Sequence, residues 1–239
     1  MTEMVRRYLR QKFGSIGIVV VLALLALLTA SQAAATGSEA SLESSFLTVL
    51  ILAAASVSRD ASSGALQMIL VRPIRRVEYL FGRYVGILTA YAVCVAVTAA
   101  LALALSPLLR RVLAGGSALS VAGVARGAAA ALLSGALFSS ILLFFSTFLP
   151  GYGDVLAYFL LTLLLGLPEL LSRALKMPWL SKIGPAAREN VLPHVAWGEV
   201  LRGERVFSRE VGAYILAVAA YLTLAAVVFS RREFSYGQD

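Results

Sequence analysis

The chain has 239 residues, of which 59% are hydrophobic and only 14% are charged, and its mean hydropathy is +0.84. An ordinary soluble domain carries about 25% charged residues, so the composition excludes that class and indicates a membrane protein. The net charge of +8 favours contact with anionic lipid headgroups. We expect no binding of nucleic acid.

The first thirteen residues carry a helical pattern of their own. Apolar side chains recur at three- and four-residue spacing, and Arg6, Arg7, Arg10 and Gln11 lie between them. This pattern predicts a basic amphipathic helix over 1–13 that lies in a membrane interface, with its apolar side in the acyl region and its arginines on headgroups. The alternative is a charge cluster that only anchors the first span.

Uncharged runs define the membrane spans. Four of them, 20 to 27 residues long, can each cross a bilayer, which needs roughly 20 apolar residues. Two shorter runs, 44–58 and 155–168, reach spanning length only if a carboxylate is placed at the end of the span. We therefore predict six transmembrane helices, and the alternatives are four spans, or five with the chain ends on opposite sides. The predicted spans are 16–35, 42–57, 84–105, 127–148, 155–171 and 211–230.

The connections differ in length and character. Residues 36–41 form a short turn, 58–83 form the only long polar stretch of the first half, and 107–126 form a second connection. A tight hairpin is predicted at 150–151, because proline cannot extend a helix and glycine permits the turn. The last connection is 172–210. The distribution of lysine and arginine favours an N-terminus on the cytoplasmic side, but only weakly, through the cluster before the first span.

Few side chains along the chain suit metal, redox or ion-coupled chemistry. Cys94 is the only cysteine and His194 the only histidine, so we expect neither a disulfide nor a metal site. The ionisable residues near the spans, Glu43, Glu169 and Arg83, lie at span ends and are interpreted as interfacial anchors. A self-contained ion-coupled carrier is therefore disfavoured, since it needs such groups at mid-membrane.

The polar stretch between the second and third predicted spans carries the clearest functional pattern. Residues 65–70 predict a short helix with apolar side chains on one side, and Pro73 ends it. Two arginines then precede a return into the membrane at Tyr79. A helix this short is too small to be a domain, but it can place a few apolar side chains and a basic rim into the groove of another protein.

This stretch resembles the link between the second and third spans of type-2 ABC transporter permeases. In that family an acidic residue, a glycine four positions on, a hydrophobic helix, a basic-proline pair, an arginine and an aromatic-x-x-Gly-Lys/Arg ending follow one another. The matching positions here are Asp60, Gly64, Leu66, Arg72, Pro73, Arg75 or Arg76, Tyr79, Gly82 and Arg83. Asp60 replaces the usual glutamate and Ala65 the usual threonine. The ending 229–234 also resembles the family's last span and tail.

The resemblance implies an all-α, six-span permease that works as a dimer with a second copy or a homologue in a bacterial or archaeal cytoplasmic membrane. Its coupling-helix segment, 58–83, would dock on a cytoplasmic ABC ATPase subunit, present in two copies. The residues expected to dock are Asp60, Gly64, Leu66, Ile69, Leu70, Arg72, Pro73, Arg75 and Arg76. Membrane re-entry is expected at Tyr79, Gly82 and Arg83.

The catalytic chemistry is expected on the partner. None of the three lysines follows a glycine, so the chain has no phosphate-binding loop of the G-x-x-x-x-G-K-[ST] type. The resemblance thus implies that ATP and Mg²⁺ bind the partner subunit and that this chain is not an enzyme. It also implies an outer re-entrant hairpin within 172–210, which fits the prolines 178, 185 and 193 and Trp179 and Trp197 as interfacial anchors.

The expected function is export of an amphipathic or apolar substrate. The alternative keeps the same fold but moves no cargo, and acts through 172–210 on an extracytoplasmic partner during assembly or maturation of another protein. A passive channel or carrier is a third reading. The Gly82-x-x-x-Gly86 and Gly123-x-x-x-Gly127 patterns fit either a dimer contact or packing within one subunit.

Overall fold

The chain was analysed as a computed structural model that describes residues 2–38, 40–43, 46–58, 60, 76–113, 119–149, 151–175, 180–203 and 209–231. Within these ranges all regular secondary structure is helical, which confirms the all-α prediction. The helices are α1 (Thr2–Phe13), α2 (Ile16–Thr36), α3 (Ala40–Glu43), α4 (Phe46–Ala53), α5 (Arg76–Leu113), α6 (Val121–Ser146), α7 (Gly153–Leu175), α8 (Leu180–Val191), α9 (Trp197–Leu201) and α10 (Arg209–Arg231).

Five of the described helices, α2, α5, α6, α7 and α10, are long and apolar enough to cross a membrane. They cover the first, third, fourth, fifth and sixth predicted spans. Two of them continue through a proline: α5 runs through Pro107, where a connection was predicted, and α7 runs through Pro168. A proline removes one N–H donor, so it weakens a helix locally without obliging it to end.

The second predicted span, 42–57, is described as two short helices, α3 and α4, followed by a turn at 54–57. Neither helix alone reaches spanning length, so the prediction of six spans stays a prediction. Both helices pack against α5 and α6, and Val49 and Leu52 are buried there. Ala55 in the turn has a φ of 53°, the left-handed conformation that residues other than glycine rarely adopt.

The contact between α5 and α6 is very close. A Cβ atom added at Gly135 would lie 2.3 Å from Cε1 of Tyr91, so the bare glycine backbone is what admits the aromatic ring. Tyr91, Ile87 and Leu142 are all buried in the largest apolar cluster. Small residues allow such close approach between membrane helices.

The amphipathic helix predicted at the N-terminus is α1, and its apolar side packs on the bundle. Tyr8 is fully buried, and Met4, Leu9 and Phe13 pack against the same core cluster. The glycines of the Gly82-x-x-x-Gly86 pattern face this helix: their added Cβ atoms would lie 2.9 Å from Sδ of Met4 and 3.1 Å from the Tyr8 ring. This pattern therefore packs within one subunit.

The two ends of the described chain lie at one end of the bundle. The first turns of α5 contact α1 and also the last turn of α10, where the ring of Tyr79 stacks on that of Phe229 with centroids 5.8 Å apart. The turn between α6 and α7 lies at the same end, because Ser58 Oγ donates a hydrogen bond of 2.5 Å to the Gly151 carbonyl. Two connections, α1 and the end of α10 thus meet there.

The chain between α7 and α10 folds back onto the bundle. Gly184 of α8 lies against Pro168 of α7. A Cβ atom added at Gly184 would lie 3.5 Å from Cβ of Pro168. The Tyr221 hydroxyl, near the middle of α10, donates to the carbonyl of Val191 at 2.9 Å. Trp197 is buried and packs edge-on against Tyr214 at 4.9 Å, so its interpretation as an interfacial anchor is wrong. Trp179 lies outside the described residues.

Candidate functional site: the buried cluster at Asp60 and Arg83

The structure describes both flanks of the segment 58–83, which was predicted to contain a coupling helix. Asp60 stands on one flank, and Arg76, Tyr79, Gly82 and Arg83 form the first turns of α5 on the other. The remaining residues predicted to dock lie outside the described residues; they are Gly64, Leu66, Ile69, Leu70, Arg72, Pro73 and Arg75. The candidate site therefore consists of the described residues on the two sides of 61–75.

A buried ion pair joins the two flanks. Nη2 of Arg83 forms a salt bridge with Oδ2 of Asp60, and the two residues are 5% and 4% exposed. Our interpretation of Arg83 as an interfacial anchor is therefore wrong, because its guanidinium points into the protein. The Tyr79 hydroxyl donates to the same Asp60 oxygen at 2.7 Å and accepts from Nε of Arg83 at 3.2 Å.

Helix α1 closes the pair from the other side. Nη1 of Arg83 donates to the side-chain carbonyl of Gln11 at 3.2 Å, and its guanidinium carbon lies 5.3 Å from the centre of the Tyr8 ring. A cation over an aromatic face is attracted by the negative face of the ring. We call Tyr8, Gln11, Asp60, Tyr79 and Arg83 the flank cluster.

The energetics of the flank cluster favour rigidity. Two charges excluded from water each lose several kcal/mol of solvation, which their mutual attraction offsets only when the geometry is good and further hydrogen bonds are made. Here Tyr79 and Gln11 supply those bonds. Because either charge left alone would be strongly penalised, the two flanks of the segment are held together as one unit.

Side chains of α1 also donate hydrogen bonds to the backbone carbonyls at the end of α4. A helix leaves its last four carbonyls without intrahelical partners. The Tyr8 hydroxyl donates to the carbonyl of Leu52, and Nζ of Lys12 donates to those of Ile51 and Ala54, both at 3.2 Å. Burial raises the pKa of the Tyr8 phenol, which keeps the hydroxyl protonated as a donor. Side chains of α1 therefore hold the end of α4 in place.

The turn after α4 is held by residues that sequence reasoning missed. Oδ2 of the fully buried Asp154 accepts from the Ala55 N–H at 2.7 Å. Oγ of Ser146 accepts from the N–H groups of Val57 and Ser58 at 3.0 and 3.1 Å. The only sequence sign was an acidic residue three positions after the Pro150–Gly151 pair, at the start of a helix.

Arg76 ties the flank to the last helix. Its Nη1 donates to the Ser230 carbonyl at 3.0 Å, at the C-terminal end of α10 where carbonyl groups lack helical partners and favour a cation. Together with the stacking of Tyr79 on Phe229, this contact links α5 to α10. The described flanks of the segment 58–83 thus contact α1, α5 and α10.

The groups of the flank cluster are bonded to one another. Among the described residues, no group of three or more His, Cys, Asp and Glu side chains could hold a metal ion. Comparison with models of protein families and with curated proteins finds no match to this chain. The functional conclusion therefore depends on the residues and their geometry.

Proposed function

We propose that this chain is the membrane-spanning permease subunit of an ATP-driven ABC transporter of the type-2 kind. A separate cytoplasmic subunit hydrolyses ATP, and the coupling-helix segment of this chain transmits its movement to the spans, which export an amphipathic or apolar substrate. The permease works as a dimer with a second copy or a homologue.

The observation that carries the proposal is the flank cluster. A segment that transmits force must be held firmly at both ends. A buried ion pair with Arg83 and a hydrogen bond from Tyr79 hold Asp60 to α5, and Arg83 is bonded in turn to Gln11 of α1. In this proposal, Asp60 and Arg83 position the segment, while the apolar side chains at 66, 69 and 70 dock on the ATPase. Arg72, Arg75 and Arg76 pair with its acidic rim.

Two further features support the proposal. The ends of the described chain, α1 and α10, meet at one end of the bundle through contacts with α5, as six crossings require. In the chain between α7 and α10, the Val191 carbonyl accepts from Tyr221 near the middle of α10, and such a contact is expected of a re-entrant hairpin. Apolar cargo also suits spans that carry few ionisable groups.

The test is purification of the tagged chain from its native membrane in mild detergent, followed by mass spectrometry and an ATPase assay. We expect a nucleotide-binding subunit to co-purify and to be lost when Leu66 and Ile69 are both changed to aspartate. The matched control is Tyr152→Asp, which adds a charge at an exposed position of the same end of the bundle. If the wild-type chain purifies without any nucleotide-binding subunit and the preparation hydrolyses no ATP, the proposal fails.

The second candidate function, mechanical action on an extracytoplasmic partner, is favoured by one observation. Trp197 packs on Tyr214 of α10, and the Val191 carbonyl accepts from Tyr221, so movement of α10 would displace the 180–203 segment. In this case a further protein would co-purify through 172–210, and no amphipathic compound would stimulate the ATPase. Stimulation by such a compound would favour export.

A further inference from the structure

The only histidine of the chain lies at the depth of the middle of the bundle. His194 closely follows the end of α8 at Val191, whose carbonyl accepts from the Tyr221 hydroxyl at 2.9 Å. Tyr221 stands about midway along α10, roughly 18 Å from its start at 1.5 Å per residue. A bilayer has a hydrocarbon core about 30 Å thick, so this depth is close to its centre.

His194 lines a cavity of about 140 Å³ at this depth. Ser134, Leu137 and Ile141 of α6 form one wall of the cavity. Ser134 lies midway along α6, so the position on this helix agrees with the position on α10. The segment 180–203 thus carries an ionisable side chain into the middle of the bundle.

The surroundings of His194 call for a polar neighbour. The residue is exposed, and it makes no side-chain hydrogen bond or ion pair with another residue that the structure describes. A polar group without a hydrogen-bond partner in an apolar surrounding costs free energy. Ionisable side chains at membrane depth therefore almost always face the bundle interior or a water-filled cavity. We expect water, and not acyl chains, beside this imidazole.

The other walls of the cavity suit an aromatic ring. They include Phe138, Tyr158, Trp197 and Tyr214. Phe138 packs edge-on against Tyr158 at 4.5 Å, and Trp197 packs edge-on against Tyr214 at 4.9 Å. An apolar cavity of about 150 Å³ is large enough to bind benzene, and aromatic side chains pack favourably on a further ring. A neutral imidazole adds one hydrogen-bond donor and one acceptor.

We propose that this cavity binds a monocyclic phenol, with its ring among the four aromatic side chains and its hydroxyl group at His194. Water fills the site when no phenol is bound. The inference uses only the helices that can span a membrane and the segment between α7 and α10. It is independent of the proposed ATP-driven export, and its test contains no ATPase subunit.

The test is solid-state NMR of the full chain in phosphatidylcholine bilayers, labelled with ¹³C and ¹⁵N at histidine alone and carrying a tag without histidine. Every labelled ring signal then belongs to His194. We expect magnetisation to reach the ring several-fold faster from water than from acyl chains. A water-soluble gadolinium chelate, which is bulkier than the cavity, should relax the ring only weakly.

Three results of this measurement would overturn the proposal. Faster transfer from acyl chains would mean that the ring faces lipid, and transfer from neither source would mean that protein covers it. Strong relaxation by the chelate would place His194 at the aqueous surface of the bilayer.

The ligand is tested with 4-methylphenol, and toluene at the same mole fraction is the control without a hydroxyl group. We expect 4-methylphenol to shift the ring signals and to lower the transfer from water at least threefold, and toluene to have a much smaller effect. Ser134→Leu fills the cavity and should abolish the shift, whereas Gly166→Leu adds a side chain where nothing lies within 4 Å of the added Cβ atom and should leave it unchanged. No shift with 4-methylphenol, an equal effect of toluene, or a shift that survives Ser134→Leu would contradict the proposal.

Discussion

At the scale of single residues, the most consequential groups are the charges of Asp60 and Arg83. Each is nearly excluded from solvent and is compensated by the other. We predict that Arg83→Met lowers the free energy of unfolding by about 3–5 kcal/mol, because it leaves a buried carboxylate without its partner. The double variant Asp60→Asn/Arg83→Met should lose much less, since neither charge remains. Unfolding in detergent micelles with increasing SDS measures both.

The control for this cycle is Arg10→Met, an exposed arginine on α1. Its effect should stay within about 0.5 kcal/mol, as for most surface substitutions. If the double variant is as unstable as Arg83→Met alone, the loss comes from packing and the ion pair does not hold the segment.

The residues of the flank cluster could be predicted only in part. The pattern between the second and third predicted spans singled out Asp60, Tyr79 and Arg83, but gave no sign that they bond to one another. Gln11 was missed as a partner of Arg83 because 72 positions separate them. Asp154 and Ala55 are 99 positions apart. Local patterns report helical periodicity and turns, whereas such contacts depend on how the spans pack.

At the scale of elements, hydropathy predicted the long helices well because an apolar run must satisfy its backbone hydrogen bonds internally within a bilayer. The segment 42–57 was harder, since its run is short and its end is fixed from outside. The carbonyls of Ile51 and Leu52 are satisfied by α1, and the N–H of Ala55 by Asp154. These tertiary bonds permit a turn where a continuous helix was expected.

The packing of α5 on α6 yields a prediction of its own. A methyl group at Gly135 would lie 2.3 Å from Cε1 of Tyr91, and Cδ1 and Cζ of the same ring would lie at 2.8 and 3.1 Å, all shorter than normal packing allows. Gly135→Ala should therefore destabilise the protein by about 1–3 kcal/mol through overpacking. Gly166→Ala in α7 is the matched control, because nothing lies within 4 Å of its added methyl group. There the change should be neutral or slightly stabilising, as alanine favours helices.

Thermal unfolding of the two glycine variants in the same detergent distinguishes the effects. An equal loss at both positions would mean that glycine is required for helix flexibility. In that case the close approach of Tyr91 to Gly135 would not explain the loss of stability.

At the scale of the whole molecule, the contacts of the flank cluster and of Arg76 all lie at one end of the bundle. There α1 caps α4, the ion pair joins Asp60 to α5, and Arg76 joins α5 to α10. The opposite end carries the 180–203 segment, which packs on α7 and α10. Force applied at the first end can reach the second along α10, since that helix contacts both.

The last prediction concerns the crossings themselves and uses single cysteines in a Cys94→Ala background. Glu3, Tyr152 and Arg231 lie at the end of the bundle that holds α1, and Val121 and Arg202 lie at the other end. With six crossings and a cytoplasmic N-terminus, a membrane-impermeant maleimide added to intact cells should label cysteines only at 121 and 202. Permeabilised cells should then show labelling at all five positions.

Labelling at 231 without labelling at 3 in intact cells would instead place the chain ends on opposite sides, which requires five spans and would separate α10 from the flank cluster.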